Sequence, residues 1–296
     1  YSDPDNKIQC NYTYSLQQAV NDGVCRNPKI VLIDNEEISV TTAKQETKTY
    51  HSLKSLLKDP SISYQDLIKH EAVINYIVAQ GVSKLATIRH QNSNAAGLIV
   101  ASSVEHAEQI VTVLTDLFHQ SATIVTYKES DAGDRINHFR FSNTQWIVSV
   151  GMVSEGTDIP RLQVCCHLSR VKTELYFRQV LGRILRVNSS PNQEAWLFTL
   201  AEETLSTFAN RIDQELPDTC VLIRNNAIAN EYLGTENHKK TYSNRCGSQP
   251  VDEIDDLLFS WGSNESSQLK TELQEASFLQ AFGGFRERVI ETFLAG

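Results

Sequence analysis

A chain of 296 residues with 41% hydrophobic content can fill a substantial core, as one large domain or two smaller ones. Its formal charge of -9 argues against a generally basic, nucleic-acid-coating protein, because counterion release needs Lys and Arg at the phosphates. No apolar run approaches the roughly 20 residues of a membrane span, the start Tyr1-Ser2-Asp3-Pro4-Asp5 is not a signal peptide, and the six cysteines show neither C-x-x-C nor zinc spacing, so a cytoplasmic protein with no membrane segment and no metal site is expected.

In chain order, Ile8 to Tyr14 alternates as an extended strand would, and Ser15 caps a short helix with Gln18 at the capping-box position and Gly23 closing it. Lys29 to Ile33 predicts a strand, and the polar stretch Asn35 to Lys48 an exposed loop or a hairpin. From Tyr64 to Arg89 apolar residues recur roughly at helical spacing, which predicts one or two helices beside a sheet. The run Gly97 to Ala101 suits a strand buried on both faces, and Ser102 with Glu105 forms a capping box for a helix through Phe118. Strand Ala122 to Thr126, helix Asp131 to Phe141, strands Trp146 to Val150 and Leu162 to Leu168, helix Thr173 to Arg186, strand Ala195 to Thr199 and helix Ala201 to Leu216 continue the alternation. This βαβ rhythm predicts an α/β fold: a parallel sheet, helices on both faces, and ligands at the carboxyl ends of the strands. Past Pro217, Glu236 to Pro250 reads as a linker or long loop, Asp252 to Asp255 as an acidic helix start, and Leu269 to Leu294 as a helical region broken at Gly283-Gly284.

Two segments carry chemistry. Glu155-Gly156-Thr157-Asp158-Ile159-Pro160 follows a strand, and Gln179-Val180-Leu181-Gly182-Arg183-Ile184-Leu185-Arg186 begins nineteen residues after Pro160. On the helix, Gln179, Gly182, Arg183 and Arg186 form a polar stripe opposite Phe177, Val180, Leu181 and Ile184, the pattern of a helix presenting arginines into a cleft. Gly182 costs about 0.5 to 1 kcal/mol there relative to Ala, which close approach of a ligand or loop would justify. Gly156 lets backbone approach a phosphate, Thr157 can donate its hydroxyl to nucleic acid, and Asp158 can accept from a ribose or orient an arginine of the later helix. From Arg161 to Arg186 six basic residues face only Glu174, making this block positive. Cys165 and Cys166 read as buried small hydrophobes, and Trp146 and Trp196 as core aromatics.

These residues resemble the C-terminal, RecA-like domain of superfamily 2 helicases of DEAD/DEAH and type III restriction-like kinds. Residues 97 to 199 carry the resemblance, with a weaker signal over 8 to 30: Gly151 to Pro160 is similar to motif V, Gln179 to Arg186 to motif VI, and Leu98 to Ala107 to the motif IV region. The resemblance implies a RecA-like parallel sheet with a C-terminal helical tail. It implies Arg183 and Arg186 as arginine fingers; Gly156, Asp158, Gln179 and Gly182 on the nucleotide side; and Thr157 and Ser102 as nucleic-acid contacts. ATP with Mg would be held mainly by the protein's own N-terminal RecA-like domain.

Four segments are expected: 1–90, a connector and lead-in helices; 91–217, the RecA-like core; 218–250, a linker or long loop; and 251–296, the helical tail. No G-x-x-x-x-G-K-[ST] cradle or acidic box occurs, so the chain would begin after the first motor domain and would not hydrolyse ATP alone. The expected function is the C-terminal motor domain of a helicase or translocase acting on nucleic acid, with DNA favoured over RNA. The rival is a non-catalytic RecA-like module that binds nucleic acid or acts as a scaffold. A Rossmann enzyme is disfavoured because no G-x-G-x-x-G follows the first strand.

Overall fold

A computed structural model of the chain describes residues 14–35, 38–41, 47–128, 131–151, 158–188, 193–216, 220–223, 279–282 and 285–292. The expected strand through Ile8, the acidic stretch Asp252 to Asp255 and the polar 236–250 segment lie outside these residues, apart from Tyr14 itself. Helix α1 (Leu16–Asn21) opens on the expected capping box, with Ser15 accepting from the Gln18 N–H and Gln18 reciprocating, and Gly23 follows it at φ 69°. Strand β1 (Asn27–Asn35) leads to β2 (Ile38–Thr41) and β3 (Thr47–Tyr50), which pair antiparallel, so the polar stretch is a hairpin. Helices α2 (Leu53–Leu56), α3 (Tyr64–Lys69) and α4 (Glu71–Arg89) follow.

The expected alternation then unfolds: β4 (Ala96–Val100), α5 (Val104–Thr112) extended by a π turn, β5 (Ala122–Thr126), α6 (Ala132–Phe141), β6 (Trp146–Val150), β7 (Leu162–His167), α7 (Glu174–Ile184), β8 (Glu194–Leu200) and α8 (Glu203–Gln214). The main sheet has the order β5-β6-β4-β7-β8-β1, all parallel. Neighbouring residues of β7 show how its two faces are covered. The Cys166 thiol lies 3.6 Å from the Ile77 carbonyl of α4, whereas His167, on the opposite face, meets Phe177 of α7 edge-on at 5.9 Å. Strands β4, β6 and β7 are buried along their whole length, as a parallel strand sandwiched between helix layers must be. This is a parallel α/β sheet with helices on both faces, and Trp146, Cys165 and Cys166 lie in its core.

The far edge departs from expectation. Residues 279–282 and 285–292 form strands β10 (Leu279–Phe282) and β11 (Phe285–Thr292), not part of a helix broken at Gly283-Gly284. Strand β11 pairs antiparallel with β1, β10 pairs antiparallel with β2, and β9 (Cys220–Ile223), within the expected linker, joins β11. Each segment is too short for helical periodicity to decide its state. The open edge of β1, whose other edge is occupied by β8, settles it by offering unpaired backbone groups.

Candidate nucleotide and nucleic-acid site

Asn27 of β1 pairs with Glu194 of β8, and β8 runs parallel to β7, so the residues just before positions 27, 162 and 194 converge on the amino-terminal edge of the sheet. Asp158, which precedes β7, and Arg186, which precedes β8, meet there, and Arg183 stands in the last turn of α7. The Arg186 guanidinium is ion-paired to the Asp158 carboxylate, with side chains 38% and 57% exposed. Such an exposed pair is worth about 0 to 1 kcal/mol, so an incoming anion can take Arg186 from Asp158 at small cost.

Helix α7 is built as its sequence reads. Thr173 caps it by accepting from the Tyr176 N–H, and its buried residues are Phe177, Val180, Leu181 and Ile184. It ends at Ile184, however, so Arg186 lies beyond it and not on a shared helical face with Arg183. The Arg26 N–H takes the Leu185 carbonyl at 2.7 Å, and Cys25 forms an antiparallel bridge with Arg186, which draws the chain out of the helix. Gln179, Gly182 and Arg183 remain together on the half-buried side of α7. A Cβ built on Gly182 would meet nothing within 4 Å, so no packing inside the described residues explains this glycine.

Ser102 sits at the opposite, carboxyl-terminal edge. The structure thus divides the candidates between the two edges, where the βαβ rule placed all ligand contacts at the carboxyl ends. Ser103, not Ser102, caps α5 by accepting from the His106 N–H at 3.2 Å. Ser102 instead donates its N–H to His106 Nδ1 at 3.2 Å, with its hydroxyl 2.8 Å from the same nitrogen. Nδ1 is therefore the acceptor and His106 is neutral, its pKa pushed down to about 4 chiefly by burial. His167 ends β7 at this edge, fully buried and edge-on to Tyr176 and Phe177, and burial lowers its pKa to about 4 as well. Gly151, at φ 73°, turns the chain out of β6 here, a backbone state that suits glycine. Gly156 and Thr157 lie outside the described residues.

The positive block is more internally committed than its composition suggests. Arg161 is buried, donating to the carbonyls of Phe139, Thr144 and Asn94 with its guanidinium 4.1 Å from the Phe139 ring centre. Lys172 pairs with Glu202, the cap of α8, at 2.9 Å. Arg178 bridges Glu174 and Glu215, and Arg211 also pairs with Glu174, lashing α7 to α8 and holding the Glu174 carboxyl below its usual range. Among the described residues no cluster of three His, Cys, Asp or Glu could hold a metal ion, and no helix is long and apolar enough to cross a membrane.

Sequence reasoning gave no role to Arg26, buried beside the end of α7, or to His167. A charged residue directly before an apolar strand was the available signal for the first; nothing local marked the second.

Fold and site together define an α/β protein with an arginine-bearing helix end at one sheet edge and a serine–histidine pair at the other. No family model matches the chain. An uncharacterised protein of Mycobacterium leprae is 24% identical over 250 residues, 82% of this chain and 38% of that protein. One from Mycobacterium tuberculosis is 24% identical over 208 residues, 70% of this chain and 34% of its own length. The chain thus spans little more than a third of the curated relatives it matches. Solved structures similar to it include an HsdR-subunit fragment, so assigned provisionally, of a type I restriction enzyme from Vibrio vulnificus YJ016 (TM-score 0.49, 15% identity, 68% of this chain and 37% of that one). Others are the DNA-bound type ISP restriction-modification enzyme LlaBIII (0.41, 14%, 69% and 14%) and helicase domain 2 of the DEAD-box protein Mss116p bound to an RNA duplex (0.38, 15%, 48% and 56%).

Proposed function

We propose that the chain is the C-terminal motor domain of an ATP-dependent helicase or translocase acting on nucleic acid, with DNA preferred over RNA. The observation that carries this reading is the exposed Arg186–Asp158 pair beside Arg183, at the end of a helix whose Gly182 leaves open space. In this reading ATP with Mg is held by a second RecA-like domain, the protein's own N-terminal one. Closure of the cleft draws Arg183 and Arg186 onto the developing phosphate charge, where an arginine supplied from outside the nucleotide-holding domain contributes about 10³- to 10⁵-fold. Asp158 holds Arg186 between cycles, Gln179 and Gly156 line the nucleotide side, and Gly182 lets it approach. Ser102 and Thr157 contact the nucleic-acid backbone, and hydrolysis shifts that contact along the strand.

The test is ATP turnover by the full-length protein with DNA, with RNA and with neither, comparing wild type with Arg186→Ala. Polymer-stimulated turnover, greater with DNA, that falls by about 10³-fold or more in the variant is the expected result. Turnover unaffected by Arg186→Ala would sink the finger assignment, and nucleic-acid binding without turnover would favour a non-catalytic module.

A further inference from the structure

Arg26 occupies an unusual position for a charged side chain. It is fully buried and adjoins β1, yet its guanidinium reaches three carbonyls from two distant segments. Nη1 donates to Leu162 at 2.7 Å and to Ile184 at 3.2 Å, and Nη2 donates to Pro160 at 3.0 Å. Pro160 and Leu162 carry the chain from Asp158 into β7. Ile184 is the last residue of α7, where a helix leaves its carbonyls unpaired and its dipole favours a cation. The planar fork of a guanidinium can hold both segments at once, whereas an ammonium is a point charge and cannot span them. Burial lowers the Arg26 pKa to about 10, which leaves it charged at neutral pH.

The same segment holds the backbone. The Arg26 N–H bonds to Leu185, Cys25 bridges Arg186, and the N–H groups of Val24 and Cys25 both bond to the Ala19 carbonyl of α1, at 3.0 Å. Side chain and backbone of residues 25–26 therefore fix both halves of the Asp158–Arg186 pair and tie them to α1.

We propose that Arg26 is a positioning residue for the arginine end of the cleft, setting the reach of Arg186 and transmitting to it any displacement of α1. This rests on the motor reading above. A misplacement of about 1 Å at such a site can lower turnover by about 10²-fold without touching the reacting atoms.

The experiment compares Arg26→Met, Arg26→Lys, Arg186→Ala and the Arg26→Lys/Arg186→Ala double variant in the full-length protein, reading polymer-stimulated kcat and the KM for ATP. Arg26→Lys retains charge and bulk, so it serves where Arg26→Met fails to fold. Arg161→Met controls for loss of an equally buried guanidinium that grips other carbonyls. The expected result is a kcat lowered about 10²-fold in folded Arg26→Lys with KM within about threefold, and a double variant no slower than Arg186→Ala alone, because residues acting as a unit are not additive. Hydrogen exchange of residues 183–188 should accelerate in Arg26→Lys and not in Arg161→Met. Wild-type kcat in Arg26→Lys beside a crippled Arg186→Ala, or effects that multiply in the double variant, would overturn the positioning role and leave the arginine reading standing. An Arg186→Ala protein with wild-type turnover would instead overturn the reading on which it rests.

Discussion

The two edges of the parallel sheet solve the problem of placing polar groups in opposite ways. At the amino edge the groups carry permanent charge: Arg26 is buried on backbone carbonyls, and above it Arg186 rests on Asp158 in the open. At the carboxyl edge the two buried histidines are neutral, with His106 accepting from Ser102 and His167 packed among aromatic rings, and the buried carboxylate of Glu202 is matched by Lys172. A guanidinium keeps its proton at every physiological pH, so the amino edge is suited to holding and handing over an anion. The carboxyl edge offers hydroxyl and backbone groups whose arrangement depends on histidines remaining uncharged.

The sharpest way to break this contrast is to remove the buried charges. Arg26→Met and Arg161→Met each strand several buried carbonyls and should each destabilise the fold by about 3 kcal/mol in denaturant titration. Equal losses in stability with unequal losses in turnover would separate a clamp serving the cleft from one serving α6.

Next comes pH. His106 and His167 have folded-state values near 4 against an ordinary 6.5, so below about pH 6.5 the unfolded chain takes up protons that the folded chain refuses. Stability is thus present at neutral pH and lost as pH falls from about 6.5 toward 4. Each histidine accounts for about 2 kcal/mol between about pH 7 and pH 5. His167→Leu should remove one share of that slope, measured as unfolding free energy at the two pH values; an unchanged slope would mean that His167 is not buried neutral.

Gly182→Ala offers a change of smaller size but informative sign. With nothing within reach of the new methyl group, the fold should gain about 0.5 to 1 kcal/mol while turnover falls. A gain in stability with full turnover would show that no ligand approaches that side of α7. The smallest effect belongs to Asp158→Ala, which should alter stability by less than about 0.5 kcal/mol, because the pair it breaks is exposed.

Much of this architecture was legible because it is local. The apolar stripe of α7 reads residue for residue from its sequence, and the strands from β4 to β8 announce themselves as short apolar runs between turn signals. Asp158 was legible as a partner for an arginine because its motif follows a strand at a fixed distance from the arginine helix. What escaped depends on distant partners. Arg26 finds its carbonyls 134 to 158 residues away, and no local pattern encodes that. Strand β11 takes its conformation from the free edge of β1, so its own eight residues could not reveal it. The cap of α5 slipped by one because Ser102 and Ser103 are chemically identical candidates, and only the geometry at His106 distinguishes them.

The most direct test of the central claim, that Arg186 is held in the open for chemistry and not for stability, measures both properties of Arg186→Ala in one preparation of the full-length protein. The expected result is an unfolding free energy within about 0.5 kcal/mol of wild type and polymer-stimulated ATP turnover lower by about 10³-fold or more. A variant that loses stability while its folded fraction turns over ATP at the wild-type rate would contradict it.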